Sequence, residues 1–136
     1  MRWFMERRIT IVRIRRPEHR NVNDELQWFG ESLGLFGSRD RDKSCFRIFI
    51  SLLKASKHGQ GLTSDELAEQ LALARGTVIH HMNNLMDTGI VVHERKRYRL
   101  REGELSTLVQ DIQRDTQKTL EDMKKFAEEL DKLLGA

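Results

Sequence analysis

The stretch LTSDELAEQLALARGTVIHHMNNLMDTGIVVHERKRYRL, residues 62–100, holds in order the signals for two helices and a hairpin. Thr63 with Glu66 three positions later is a capping box, in which each side chain satisfies a free amide at a helix start. That helix continues through Leu67, Ala68 and Leu71. A short turn over Ala72 to Arg75 leads to a second helix from about Gly76 to Asp87, with Val78, Met82 and Leu85 on one apolar stripe. Thr88 and Gly89 stop it. Ile90 to His93 and Arg97 to Leu100 then read as two strands joined by a tight turn at Glu94 to Lys96.

Working outward, Asp42 or Ser44 opens an apolar helix through Phe46, Ile48, Phe49, Leu52 and Leu53, which Gly59 and Gly61 terminate. Before it, Asn23 can cap a helix carrying Leu26, Phe29, Leu33 and Phe36 at helical spacing, weakened at its end by Gly34 and Gly37. Residues 8–15 alternate their β-branched side chains between both parities, which predicts a strand ended by Pro17. Downstream, Leu105, Val109, Ile112, Thr116, Leu120, Met123, Ala127, Leu130 and Leu134 recur every three or four residues, a heptad-like seam with one inserted residue. A helix over about 103–134 is roughly 45 Å long at ~1.5 Å per residue. It either folds back on its own core or, as a small domain favours, pairs with a second copy. The dimer contacts expected are Leu105, Val109, Ile112, Leu120, Met123, Leu130 and Leu134.

The net charge of +3 is unevenly spread. Residues 1–20 carry seven Arg against two Glu, and residues 38–101 twelve bases against seven acids. Residues 21–37 and 102–136 are net acidic, the latter with nine acids against five bases. Positive charge in the first segment and the middle suits a polyanion facing those two. No apolar run approaches the ~20 residues that span a bilayer, so no membrane partner is expected. Residues 1–8 lack the apolar core of a secretion signal, and the lone Cys45 agrees with a reducing cytoplasm. Cys45 sits in an apolar run and reads as a small core residue rather than a redox thiol. The five histidines show no ligand spacing except the adjacent His80-His81 pair, whose side chains diverge by ~100° on a helix, so no metal or other cofactor is expected. There is no phosphate loop, nucleophile elbow or Cys/His pairing suited to catalysis, and a non-enzymatic protein is expected, with no catalytic residues.

Helix, turn, helix and hairpin in that order predict a mainly α fold with a small β-hairpin: a winged helix-turn-helix with an N-terminal strand–helix extension and a long C-terminal dimerisation helix. The divisions expected are an extension over 1–37, a winged domain over 38–101 and a coiled-coil-like helix over 102–136. Leu62-Thr63, Glu66-Leu67-Ala68, Thr77-Val78 before His80-His81, and Leu85 resemble the corresponding stretch of the ArsR and MarR families of prokaryotic, including archaeal, regulators. Gly89-Ile90-Val91 and the basic hairpin ending in Tyr98-Arg99-Leu100 extend the likeness over roughly residues 45–100.

The resemblance implies a homodimeric transcription regulator binding double-stranded DNA, with the second helix of the motif in the major groove and the wing on the backbone or minor groove. On that helix Arg75, Gly76, Thr77, Ile79, His80, Asn83 and Asn84 are the expected contacts. Gly76 and Thr77 allow close approach, Thr77 can bond a phosphate, Asn83 can pair with adenine, Arg75 with guanine or phosphate, and Ile79 can meet a thymine methyl. His81 is a flanking candidate. In the wing Arg95, Lys96, Arg97 and Arg99 are expected on phosphates, because Arg95, Arg97, Arg99 and Arg101 share one parity and would repel without a polyanion. Arg13, Arg15, Arg16 and Arg20 would extend that surface. Metal-sensing relatives carry cysteines in the first helix of the motif or acid and histidine ligands on the last; Ser64 to Ala68 and the C-terminal helix carry no such set, and any effector is left open. Two other readings stand beside this one, a winged-helix protein-interaction module and a sequence-tolerant, chromatin-type DNA binder.

Overall fold

In the computed structural model, which describes residues 8–18, 21–37, 40 and 42–135, helices α1 (Val22–Ser32), α2 (Ser44–Lys57), α3 (Ser64–Leu71) and α4 (Arg75–Asp87) precede strands β1 (Val91–Glu94) and β2 (Arg97–Leu100). Helix α5 (Leu105–Leu133) follows. The architecture is the winged helix that the sequence predicts. The chain divides into two compact units, one ending at Gly103 and the other beginning at Glu104.

In the first unit the core is built where the apolar stripes of α2, α3 and α4 meet the hairpin. Ile48, Phe49, Leu52, Leu67, Val78, Met82 and Leu85 are fully buried, with Ile90, Val91 and Leu100 closing the hairpin side. Each such side chain contributes roughly 1.5–3 kcal/mol relative to an exposed one. The capping box forms as expected: Glu66 N–H donates to Thr63 Oγ1 and Thr63 N–H to Glu66 Oε1. Strands β1 and β2 pair antiparallel with Val91 opposite Leu100 and Glu94 opposite Arg97. Leu62 adds a bridge that the sequence reading missed, exchanging two backbone hydrogen bonds with Tyr98 at 2.9 and 2.7 Å. The approach is close: a Cβ on Gly61 would lie 3.0 Å from the Tyr98 carbonyl oxygen.

Three expectations need correction. Residues 8–15 form no strand and pair with no ladder. The segment is tied instead by isolated bonds, Arg8 N–H to the Asp87 carbonyl, Val12 N–H to the Ser32 carbonyl, and Trp28 Nε1–H to the Ile14 carbonyl. Ile11 and Val12 are left 64% and 41% exposed, while Ile9 and Ile14 are half-covered. Helix α1 starts two residues earlier than expected, because Asn21, not Asn23, accepts from Asp24 N–H as its cap. Phe36 lies beyond the helix end and folds back as core, edge-on to Phe46 and tilted against Phe49.

At the start of α2, Ser44 is the first helical residue and Asp42 accepts its amide. The stronger cap is Asp40, which no spacing rule marks: its carboxylate accepts from both Cys45 N–H and Phe46 N–H. Cys45 is a core residue as expected. Burial, helped by the nearby Asp40 charge, pushes its thiol up to about 12, which leaves it unreactive.

The second unit is α5, a helix of 29 residues. Leu108, Asp111 and Ile112 are buried, and Asp111 accepts a hydrogen bond from Arg114. Beyond Thr116 the apolar side chains are exposed: Leu120, Met123, Phe126, Leu130, Leu133 and Leu134. Of the seam expected for a dimer, Ile112 is buried and Val109, Leu120, Met123, Leu130 and Leu134 are exposed, and Phe126 and Leu133 widen the exposed stripe. Among the described residues no helix is long and apolar enough to cross a membrane.

Candidate nucleic-acid interface

Burying Val78, Met82 and Leu85 rotates the opposite face of α4 outward. Arg75, Gly76, His80, Asn83 and Asn84 are exposed, and Thr77 and Ile79 are half-covered. A Cβ on Gly76 would meet nothing within 4 Å, so the backbone at the helix start is open to a bulky ligand. Ala74 caps that start without a side-chain hydrogen bond, and no acid stands in the first turn. The first amides and the positive end of the helix dipole are thus left for an external acceptor, as a phosphate would be. His80 and Asn84 touch one another, Nδ2 to Nε2 at 3.4 Å, so these two present a joined polar edge.

The two helices are joined by a left-handed Ala72 (φ 54°). Arg47 of α2 donates to the Leu71 carbonyl, closing the C-terminus of α3 beside that turn.

The wing is a two-residue hairpin in which both central residues, Arg95 (φ 50°) and Lys96 (φ 71°), are left-handed. A type I′ turn of this kind is usually made by Asn-Gly, and an Arg-Lys pair accepts strain of ~1 kcal/mol or more per residue to place two cations at the tip. Tyr98 and Leu100 point into the core as their parity predicts, and the His93 ring stacks on Tyr98 with centroids 4.1 Å apart.

The like-charge repulsion expected along the arginine face is relieved inside the chain at two of its positions. Arg97 donates to Glu66 Oε1 at 3.2 Å and to the Gly61 carbonyl at 3.0 Å. Arg99 pairs with Glu94 at 2.7 Å. At the start of α4, Arg75 lies 3.5 Å from Asp65, both well exposed. The acidic first turn of α3 thus holds one arginine of the helix and one of the wing, contacts that only the fold brings together. Arg95 and Lys96 make no ion pair among the described residues. In the N-terminal segment Arg16 is held by Glu25 and lies over the Trp28 ring, and Arg15 faces Glu18 loosely at 3.8 Å. Arg20 lies outside the described residues.

His81 departs most from the sequence reading. It is half-buried, and its Nε2 lies 2.8 Å from Ser44 Oγ at the start of α2, turned away from the exposed edge. Burial lowers its pKa, with Asp40 and Asp42 opposing and His80 assisting. Among the described residues no cluster of three or more His, Cys, Asp or Glu side chains could hold a metal ion.

An open helix start, an exposed polar face and a cationic hairpin tip now stand in one domain. Residues 51–92 match the family model for winged helix-turn-helix DNA-binding domains. The match runs from the body of α2 into β1 and covers less than half of the chain, ending before the wing turn. No curated protein and no solved structure matches the chain. The likeness is thus to winged DNA-binding domains in general, and it does not single out the ArsR or MarR families.

Proposed function

We propose that the protein is a sequence-specific, double-stranded-DNA-binding transcription regulator of ArsR/MarR-like type, cytoplasmic, non-enzymatic and homodimeric. Helix α4 enters the major groove, with Asn83 and Arg75 on base edges, Ile79 against a thymine methyl, and Thr77 with the open amides on a phosphate. Arg95 and Lys96 reach the backbone or minor groove from the wing tip, and Arg97 and Arg99 support them. The observation that carries the reading is the start of α4, where a cap without a side-chain bond, an open Gly76 and a first turn free of acids leave room and donors for a phosphate. Dimerisation rests on the exposed stripe Leu120, Met123, Phe126, Leu130, Leu133 and Leu134, which on a lone helix leaves six large apolar side chains in water. The charged residues between them, such as Lys124 and Glu128, lie on the other faces.

A second reading, a winged-helix protein-interaction module, is favoured by one observation: Asp65 and Glu66 already neutralise Arg75 and Arg97. Titrating a duplex selected from a random pool, and a scrambled one, at two salt concentrations separates the readings. Salt-dependent binding that prefers the selected duplex supports the regulator. Equal affinity for both points to a chromatin-type binder, and no binding leaves the protein module.

A further inference from the structure

His81 belongs to α4 but faces away from the surface assigned to DNA, into the start of α2. There Ser44 is almost wholly buried, with its amide on Asp42, and its side chain is the largest of the influences that hold Asp42 below the ordinary carboxylate range. Ser44 Oγ and His81 Nε2 lie 2.8 Å apart, and the tautomer of the ring sets which of the two donates. Asp40, on the next two amides, fixes the same helix end from the other side. The apolar stripe of α4 consists of Val78, Met82 and Leu85, and such contacts are non-directional. Such contacts hold the helix against its neighbours without a hydrogen bond to fix its rotation. The Ser44–His81 bond is a directional contact between α2 and α4, and it is set one residue from His80 and two from Asn83.

We infer that His81 is a positioning residue, whose bond to Ser44 fixes the rotation of α4 on α2 and so decides which side chains of α4 meet the base edges. The inference rests on the reading of α4 as the DNA-contacting helix. Base recognition is sensitive to such a roll because a bidentate contact tolerates little misalignment.

The test measures affinity for a duplex recovered from a random pool, and for single-base variants of it, with His81→Ala, Ser44→Ala, the double variant and His81→Gln. Glutamine carries both a donor and an acceptor at the reach of Nε2 and keeps the bond in either direction. Both alanine variants are expected to lose about fivefold in affinity, the effect of one hydrogen bond. Both should flatten the ranking of base variants while the salt slope stays unchanged, the double variant should be no worse than either single, and His81→Gln should recover most of the loss. Circular dichroism at the assay temperature confirms that the variants compared are folded. A parent-like ranking in folded Ser44→Ala overturns the inference. So does a His81→Ala loss that lowers the salt slope and is absent from Ser44→Ala, since His81 would then touch DNA itself. If the parent binds no duplex, the DNA-binding reading falls and this inference with it; if the parent binds and all variants match it, this inference alone falls.

Discussion

Arg95 and Arg97 stand two residues apart on the wing and are held differently. Arg97 bonds to the Gly61 carbonyl and to Glu66, so it supports the fold as well as carrying charge. Arg95 makes no such contact and is held in a left-handed conformation. Arg95→Ala is therefore expected to weaken all duplexes alike, with a salt slope lower by about one, and to leave the melting temperature unchanged. Arg97→Ala should lower both affinity and melting temperature. Asn83→Ala should instead relax preference at one base position, by roughly 1–3 kcal/mol of discrimination. His81 gives a pH signature. Its ordinary value is 6.5, and burial lowers it in the folded chain, against Asp40 and Asp42. Just below pH 6.5 the unfolded chain then binds more protons than the folded one. Stability from this group is full above 6.5 and is lost as pH falls through 6.5 towards the folded value. Thermal melts from pH 7.5 to 5.5 should show the decline in the parent and a shallower one in His81→Gln.

The elements themselves carry two further expectations. Gly30 in α1 faces the buried Phe36 ring, and a Cβ there would lie 2.0 Å from its tip. Phe36 is wedged by Phe46 and Phe49 and has little room to retreat. Gly30→Ala is expected to destabilise by about 1–3 kcal/mol, read as a shift in denaturation midpoint. In the wing, Lys96→Gly should relieve a strained φ and stabilise by roughly 1 kcal/mol while weakening DNA binding. That pair of results would identify the turn as strain kept for charge. The same elements show what a linear pattern holds. The capping box of α3, the stripe of α4 and the parity of Tyr98 and Leu100 are local, and each is legible because its periodicity or cap lies within a few residues. The strand expected over residues 8–15 fails because β-propensity records a side chain's fit to a sheet, and a strand needs an edge that only the fold can supply. Asp40, the Leu62 bridge, the Glu66–Arg97 pair and the Ser44–His81 bond join residues from five to 37 positions apart. No spacing rule reaches them, although the capping box marks Glu66.

At the scale of the whole molecule, the positive charge lies early and in the middle of the chain and the acidic charge towards its end. That division suits an acidic helix kept off DNA and used for pairing. The exposed half of α5 predicts a dimer by sedimentation at micromolar concentration, and Leu130→Lys should yield the monomer without unfolding the winged domain, since Leu130 is 56% exposed. A monomeric parent would contradict the pairing. The most direct measurement is a base-by-base footprint on a selected duplex. Two major-groove patches about 34 Å apart on an inverted repeat, each lost from Asn83→Ala at a single base pair, are expected of a dimer reading DNA through α4. Uniform protection along the duplex, or protection confined to the minor groove, would contradict it.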